Sequence, residues 1–207
     1  MFHERKKIRI SGGFWLLTAW FGLVNGWSLL GIVLGASAVH ELGHCLALRC
    51  MGTAWSSLRL GVFGAALEMD GRRLSYGGEI ICVLMGPAAN LLCALLLIRM
   101  GGKAWDVMAG ANLVLCAFNL LPLRPLDGGR ALYLAVSWLA DPGVGEAAAR
   151  WTGVLTGALL GTAVVWLMGS TGGSLWLLPA AVGAFFLAGN ELLGNREFSR
   201  KKCLQSR

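Results

Sequence analysis

The sequence predicts an all-α polytopic membrane protein with about six transmembrane helices and a small β-hairpin between the second and third. Three observations carry that reading. The 207 residues are 56% hydrophobic and only 14% charged, whereas an ordinary soluble domain is about a quarter charged. Apolar stretches near 20 residues recur, the length a helix needs to cross roughly 30 Å of hydrocarbon. The basic residues cluster between those stretches in a one-sided pattern.

The first span covers about 10–27, after the basic residues Arg5, Lys6, Lys7 and Arg9. A basic run before FWLLTAWFGLV has the look of a secretory signal. The nearest small-residue cleavage pattern, Ala36-Ser37-Ala38, lies inside the next apolar block, so the segment reads as a retained helix. The second span covers about 28–49. Residues 58–70, LRLGVFGAALEMD, are short, glycine-punctuated and partly alternating, which favours strands over another crossing; GRR at 71–73 would close the hairpin. The third and fourth spans cover about 79–99 and 104–123, the latter running into a proline-rich stretch. Residues 129–140, GRALYLAVSWLA, read as a short helix at the cytosolic interface, stopped by Asp141-Pro142-Gly143. The fifth and sixth spans cover about 151–169 and 174–193. No internal repeat or low-complexity tract interrupts this order, and residues 1–207 read as a single domain.

The charges orient the layout. With six spans, only Arg99 and Lys103 of the 18 basic residues fall on the outer side. The positive-inside rule then puts both termini in the cytosol. The formal charge of +7 therefore marks the cytosolic face of a bilayer, with no nucleic-acid partner expected. The six cysteines form no C-x-x-C pair and mostly lie in apolar runs, where they act as small hydrophobes.

Within span two the chain reads AVHELGHCLAL, residues 38–48. Ionisable groups at membrane depth are costly and usually functional. His40 and His44 lie four residues apart, on one face of a helix, so both imidazoles can grip one cation. Neutral imidazole nitrogen suits zinc, and the adjacent Glu41 can serve as general base, which is the mechanical content of H-E-x-x-H. A third protein ligand is needed. Span two runs inward, leaving His40 roughly 18 Å deep, in the cytosolic half. Span four also runs inward, and Asp127 follows it in NLLPLRPLDGG, where Pro122, Pro125, Gly128 and Gly129 break the helix. Broken backbone at that depth belongs where protein buries it or a watery cavity adjoins it. Asp127 is thus the favoured ligand, Glu79 and Glu191 are rivals near span ends, and Asp106 lies on the wrong side.

These motifs, HELGH and then NLLPLRPLDGG, resemble the site-2 protease family of intramembrane zinc metalloproteases, most nearly its sporulation type. GPAAN at 86–90 is similar to the family's helix-breaking motif on the intervening span. The resemblance implies that His40, His44 and Asp127 bind zinc and that Glu41 is the catalytic base. It also implies that Asn119 holds substrate or the developing oxyanion, and that the hairpin aligns an extended substrate. The expected substrate is a transmembrane or membrane-associated protein cut near the cytosolic face, under a membrane regulatory partner. Sporulation-type members usually carry a nucleotide-sensing domain after the last span, and others a PDZ insertion; neither a CBS nor a PDZ domain is expected here, with about 14 residues beyond span six.

Other readings are weaker. A prenyl-protein peptidase also uses H-E-x-x-H but takes a glutamate as third ligand, and no convincing match for that motif is visible. A zinc transporter would show paired repeats or a path of charges, and an intact Glu41 argues against a catalytically dead helix-binding adaptor. Asn90 reads equally well as a polar helix residue bonded to a neighbour. Arg124 reads as a snorkelling surface charge.

Overall fold

The computed structural model describes residues 7–53, 55–61, 64–69, 74–124, 126–170, 182–186 and 188–189. They divide into two compact units, Met1–Leu120 and Leu121–Arg207. Among the described residues, three helices are long and apolar enough to cross a membrane. The chain is a helical membrane protein.

The first unit begins with strand β1 (Lys7–Ile10), followed by α1 (Gly12–Asn25). Ser11 caps α1 by accepting a hydrogen bond from the Phe14 amide at 3.2 Å. Helix α2 (Trp27–Cys50) follows at once, because Gly26 adopts φ +90°, a conformation open to glycine. The aromatic ring of Trp27 folds back onto Gly22, where a side chain would collide with it. Strands β2 (Trp55–Gly61) and β3 (Gly64–Met69) pair antiparallel, with Gly61 opposite Gly64. Residues 71–73, expected to close a hairpin, lie outside the described residues. Helix α3 (Tyr76–Met100) is capped by Ser75, which accepts from the Gly78 amide, and it carries Glu79 in its first turn, where a carboxylate meets the positive helix end. Helix α4 (Lys103–Asn119) completes the unit.

Several expectations change here. The N-terminal basic segment contributes a strand: β1 pairs in parallel with β2, making β2 the central strand of three. Apolar composition could not reveal this, because Lys7 and Arg9 alternate with Ile8 and Ile10 in a segment read as a charged flank. Helix α1 has 14 residues and α4 has 17, about 21 and 26 Å, short of the hydrocarbon thickness for a straight crossing. GPAAN does not break α3, which runs unbroken through Pro87. Proline removes one hydrogen bond from a helix, and the rest of a 25-residue helix packed on both sides holds the course.

Packing in this unit is inverted relative to a soluble protein. Leu91, Leu92, Leu95 and Leu96 of α3 are exposed, while His40, Asn90 and Asn112 are buried. Small residues make the interior tight: Ala94, Leu97 and Ala109 form one cluster, and Ala47, Leu48 and Cys82 another. A Cβ at Gly43 would run into the Met85 carbonyl and the Ala89 methyl, so α2 and α3 touch through backbone at that level.

The second unit holds α5 (Asp127–Leu139) and α6 (Pro142–Ser170). Asp141 separates them and caps α6, its carboxylate accepting from the amides of Gly143 and Val144. Asp141-Pro142-Gly143 therefore starts a helix as well as ending one, since proline is favoured at a first helical position. In consequence the expected fifth span at 151–169 is only the last part of a 29-residue helix. Gly145 lets α6 lie against α5: a Cβ there would strike the Ser137 hydroxyl and the Tyr133 carbonyl. The expected sixth span, 174–193, falls largely outside the described residues, of which 182–186 and 188–189 are helical.

Candidate metal centre

Helix α2 is unbroken from Trp27 to Cys50, so His40 and His44 stack one turn apart. Their rings meet edge to face with centroids 4.7 Å apart, and their Nε2 atoms are 3.1 Å apart. What lies between those nitrogens follows from the other side of each ring. His44 Nδ1 is 2.8 Å from the Cys82 carbonyl oxygen, which can only accept. His44 therefore carries its proton on Nδ1, leaving a lone pair on Nε2.

The same logic reaches His40 through two amides. His40 Nδ1 lies 2.8 Å from Asn90 Oδ1. The orientation of Asn90 is set by its amide nitrogen, which donates to the Ala36 carbonyl at 2.9 Å and to Asn112 Oδ1 at 2.8 Å. Asn112 is oriented in turn, donating its own Nδ2 to the Met108 carbonyl at 2.9 Å. Asn90 Oδ1 thus accepts, His40 Nδ1–H donates, and His40 Nε2 also presents a lone pair. Two ring nitrogens so placed can share a single cation. The spacing suits one: two nitrogens each 2.0–2.1 Å from a tetrahedral zinc lie about 3.3 Å apart. Metal-ligating histidines characteristically donate the other ring nitrogen to a carbonyl or carboxylate.

Helix α3 supplies the space as well as the acceptors. A Cβ on Gly86 would overlap both imidazoles. Pro87, next in sequence, has no N–H for the Val83 carbonyl, and in that same turn the Cys82 carbonyl receives His44. GPAAN thus acts by its lack of side chain and by the amide of Asn90, in an unbroken helix.

The remaining expected residues are placed as follows. Glu41 lies on α2, half-buried, one residue after His40. Asp127 is the first residue of α5, half-buried, in the second unit. The turn before it is held close: a Cβ on Gly129 would strike the Leu123 carbonyl and the Arg124 amide. Arg124, expected as a snorkelling charge, instead pairs with the Glu146 carboxylate at 2.8 Å and donates to the Glu146 carbonyl at 3.1 Å. Asn119 ends α4, its amide nitrogen donating to the Leu115 carbonyl one turn back at 3.0 Å. Asp106 is in the first turn of α4, at the opposite end from Asn119. Of the rivals for third ligand, Glu79 sits at the start of α3 and Glu191 lies outside the described residues.

Sequence reasoning missed Asn112 and the Cys82 carbonyl. Asn112 had a readable signal, a lone amide in an apolar helix seven residues before Asn119. A backbone carbonyl has none.

No family model matches the chain. It is 30% identical to a candidate zinc metalloprotease of Synechocystis over 94% of its own length and 51% of the relative. It is 31% identical to Rip3 of Mycobacterium tuberculosis, also named as a candidate zinc metalloprotease, over 86% of this chain and 48% of that one. Stage IV sporulation protein FB of Bacillus subtilis matches at 31% over 63% of this chain and 48% of that protein, so the sporulation type is a more partial likeness than expected. The chain spans about half the length of the curated relatives it matches. In fold it resembles the site-2 protease of Methanocaldococcus jannaschii, with a TM-score of 0.63 at 20% identity, covering 89% of each chain. The chain is thus similar in sequence to proteins named as zinc metalloproteases, and in fold to a site-2 protease.

Proposed function

We propose that this chain is an intramembrane zinc endopeptidase that hydrolyses a peptide bond of a membrane-embedded or membrane-associated protein near the cytosolic face. One observation carries it: two imidazoles whose Nδ1 protons are committed to acceptors face each other through Nε2 at 3.1 Å. That arrangement wants a cation, and nitrogen donors make zinc the natural one.

Asp127 is the proposed third ligand. Two imidazoles and a carboxylate are a catalytic zinc donor set, leaving a fourth position for water or substrate. Bound zinc supplies a Lewis acid and an activated water at neutral pH. Glu41, adjacent to His40, takes a proton from the attacking water and returns it to the leaving amine. Asn119, at the end of α4, holds substrate or the developing oxyanion. A helical substrate has its amides satisfied internally and must unwind before attack. The outer edge of β3, which among the described residues pairs only with β2, offers backbone partners to the extended segment. Residues 1–207 form a single metalloprotease domain in a six-span layout with both termini cytosolic, supported by the one-sided distribution of basic residues. A membrane partner restrains or presents the substrate.

Metal analysis of purified protein tests the ligand set. About one zinc per chain is expected, lost in His44→Ala and in Asp127→Ala; undiminished zinc in Asp127→Ala removes that residue from the set. Reporters active only in the cytosol, fused to each terminus and loop, test the topology, which fails if the two ends report opposite sides.

A further inference from the structure

The buried amides beside His40 form a one-way chain. Each of its ends is a backbone carbonyl, Ala36 at one and Met108 at the other, and a carbonyl can only accept. Those two anchors fix the polarity of everything between. We infer that Asn112, on α4, is a positioning residue for the metal ligand His40, acting through Asn90 to keep the His40 lone pair on Nε2. This rests on the reading of His40 and His44 as metal ligands.

A flip of the Asn90 amide shows why Asn112 is needed. Flipped, Asn90 would present N–H groups to His40 Nδ1, driving the ring proton to Nε2, where the ligand lone pair must be. Two contacts oppose the flip: it would set oxygen against the Ala36 carbonyl and oxygen against Asn112 Oδ1. Asn90 has 0% of its surface exposed, so no water can repair either contact. Ala36 alone provides one of these restraints; Asn112 doubles it. Asn112 cannot itself turn freely, because its nitrogen is held by Met108, one turn earlier on α4. The placement therefore ties α4 to the chemistry on α2 by way of α3, with no contact between Asn112 and the metal.

Zinc affinity, measured by competition with a chromophoric chelator on detergent-solubilised full-length protein, tests this. Loss of an outer partner typically costs metal affinity 10–100-fold. Asn90→Leu should fall in that range and Asn112→Leu by about tenfold, with Asn112→Asp, which keeps an acceptor for Asn90, recovering most of the loss. In an Asn90→Leu background, Asn112→Leu should add nothing. Nitrogen NMR of histidine-labelled, metal-free protein gives a readout that needs no Asn112 variant. The resonance that disappears in His40→Ala should report an Nδ1–H ring in the wild type. Wild-type affinity in Asn112→Leu, full additivity with Asn90→Leu, or an Nε2–H His40 would each overturn the role of Asn112. Zinc binding unaffected by His44→Ala would instead defeat the metal reading beneath it.

Discussion

The imidazole pair and the Asp127 turn are built by opposite means. His40 and His44 sit on an unbroken helix, and their aim comes from neighbours: a carbonyl and an amide on α3, backed by an amide on α4. Asp127 opens α5 after a turn whose course comes from its own backbone, with Leu126 N–H bonded to the Leu123 carbonyl at 2.8 Å and Gly129 pressed on that turn. Imidazoles on a long helix need outside help because the helix fixes where a ring begins, not which nitrogen bears the proton. A carboxylate at a helix start is placed by the few residues that shape the turn. Damage to the surroundings of the first region should therefore appear in metal binding, and damage to the backbone of the turn before Asp127 in local stability as well.

The largest contrast is Gly86→Ala. Its methyl would occupy the space of both imidazoles, so stoichiometric zinc should be lost, whereas Gly35→Ala, on the same membrane-crossing pair but with nothing within 4 Å, should bind normally. Zinc retained in Gly86→Ala would mean that the imidazoles do not pack there. Glu41→Gln should keep its zinc but lose cleavage by roughly 100-fold or more, the usual range for a general base; turnover near wild type would remove Glu41 from that role. In the second region, Gly129→Ala should lower thermal stability by about 1–3 kcal/mol, the usual cost of overpacking, because two backbone groups must move. Smallest is Arg124→Ala, which breaks a partly exposed ion pair worth at most about 1 kcal/mol. A loss of several kcal/mol in that variant would mean that Arg124 anchors more than Glu146.

What the sequence disclosed follows the same division. Spacing alone revealed the shared face of His40 and His44, since a helix repeats every 3.6 residues whatever surrounds it. Hydrophobic length located α2 and α3 closely, and α6 in part. It overstated α1 and α4, because apolar residues continue past the points where Gly26 and Leu120 end those helices. Two expected breaks misled: GPAAN, similar to a helix-breaking motif, is carried inside α3, and Pro142 begins a helix where it was expected only to end one. Strand β1 was hidden because pairing with β2 is a long-range event that a four-residue segment cannot announce. The histidines' acceptors were hidden for the same reason, being 38 and 50 residues away in the chain.

X-ray absorption at the zinc edge of the loaded protein addresses the central claim most directly. Two imidazole nitrogens at about 2.0–2.1 Å with oxygen completing the shell are expected, reduced to one imidazole in His44→Ala. A shell with a single imidazole in the wild type, or with sulfur at about 2.3 Å from a cysteine such as Cys45, would contradict it.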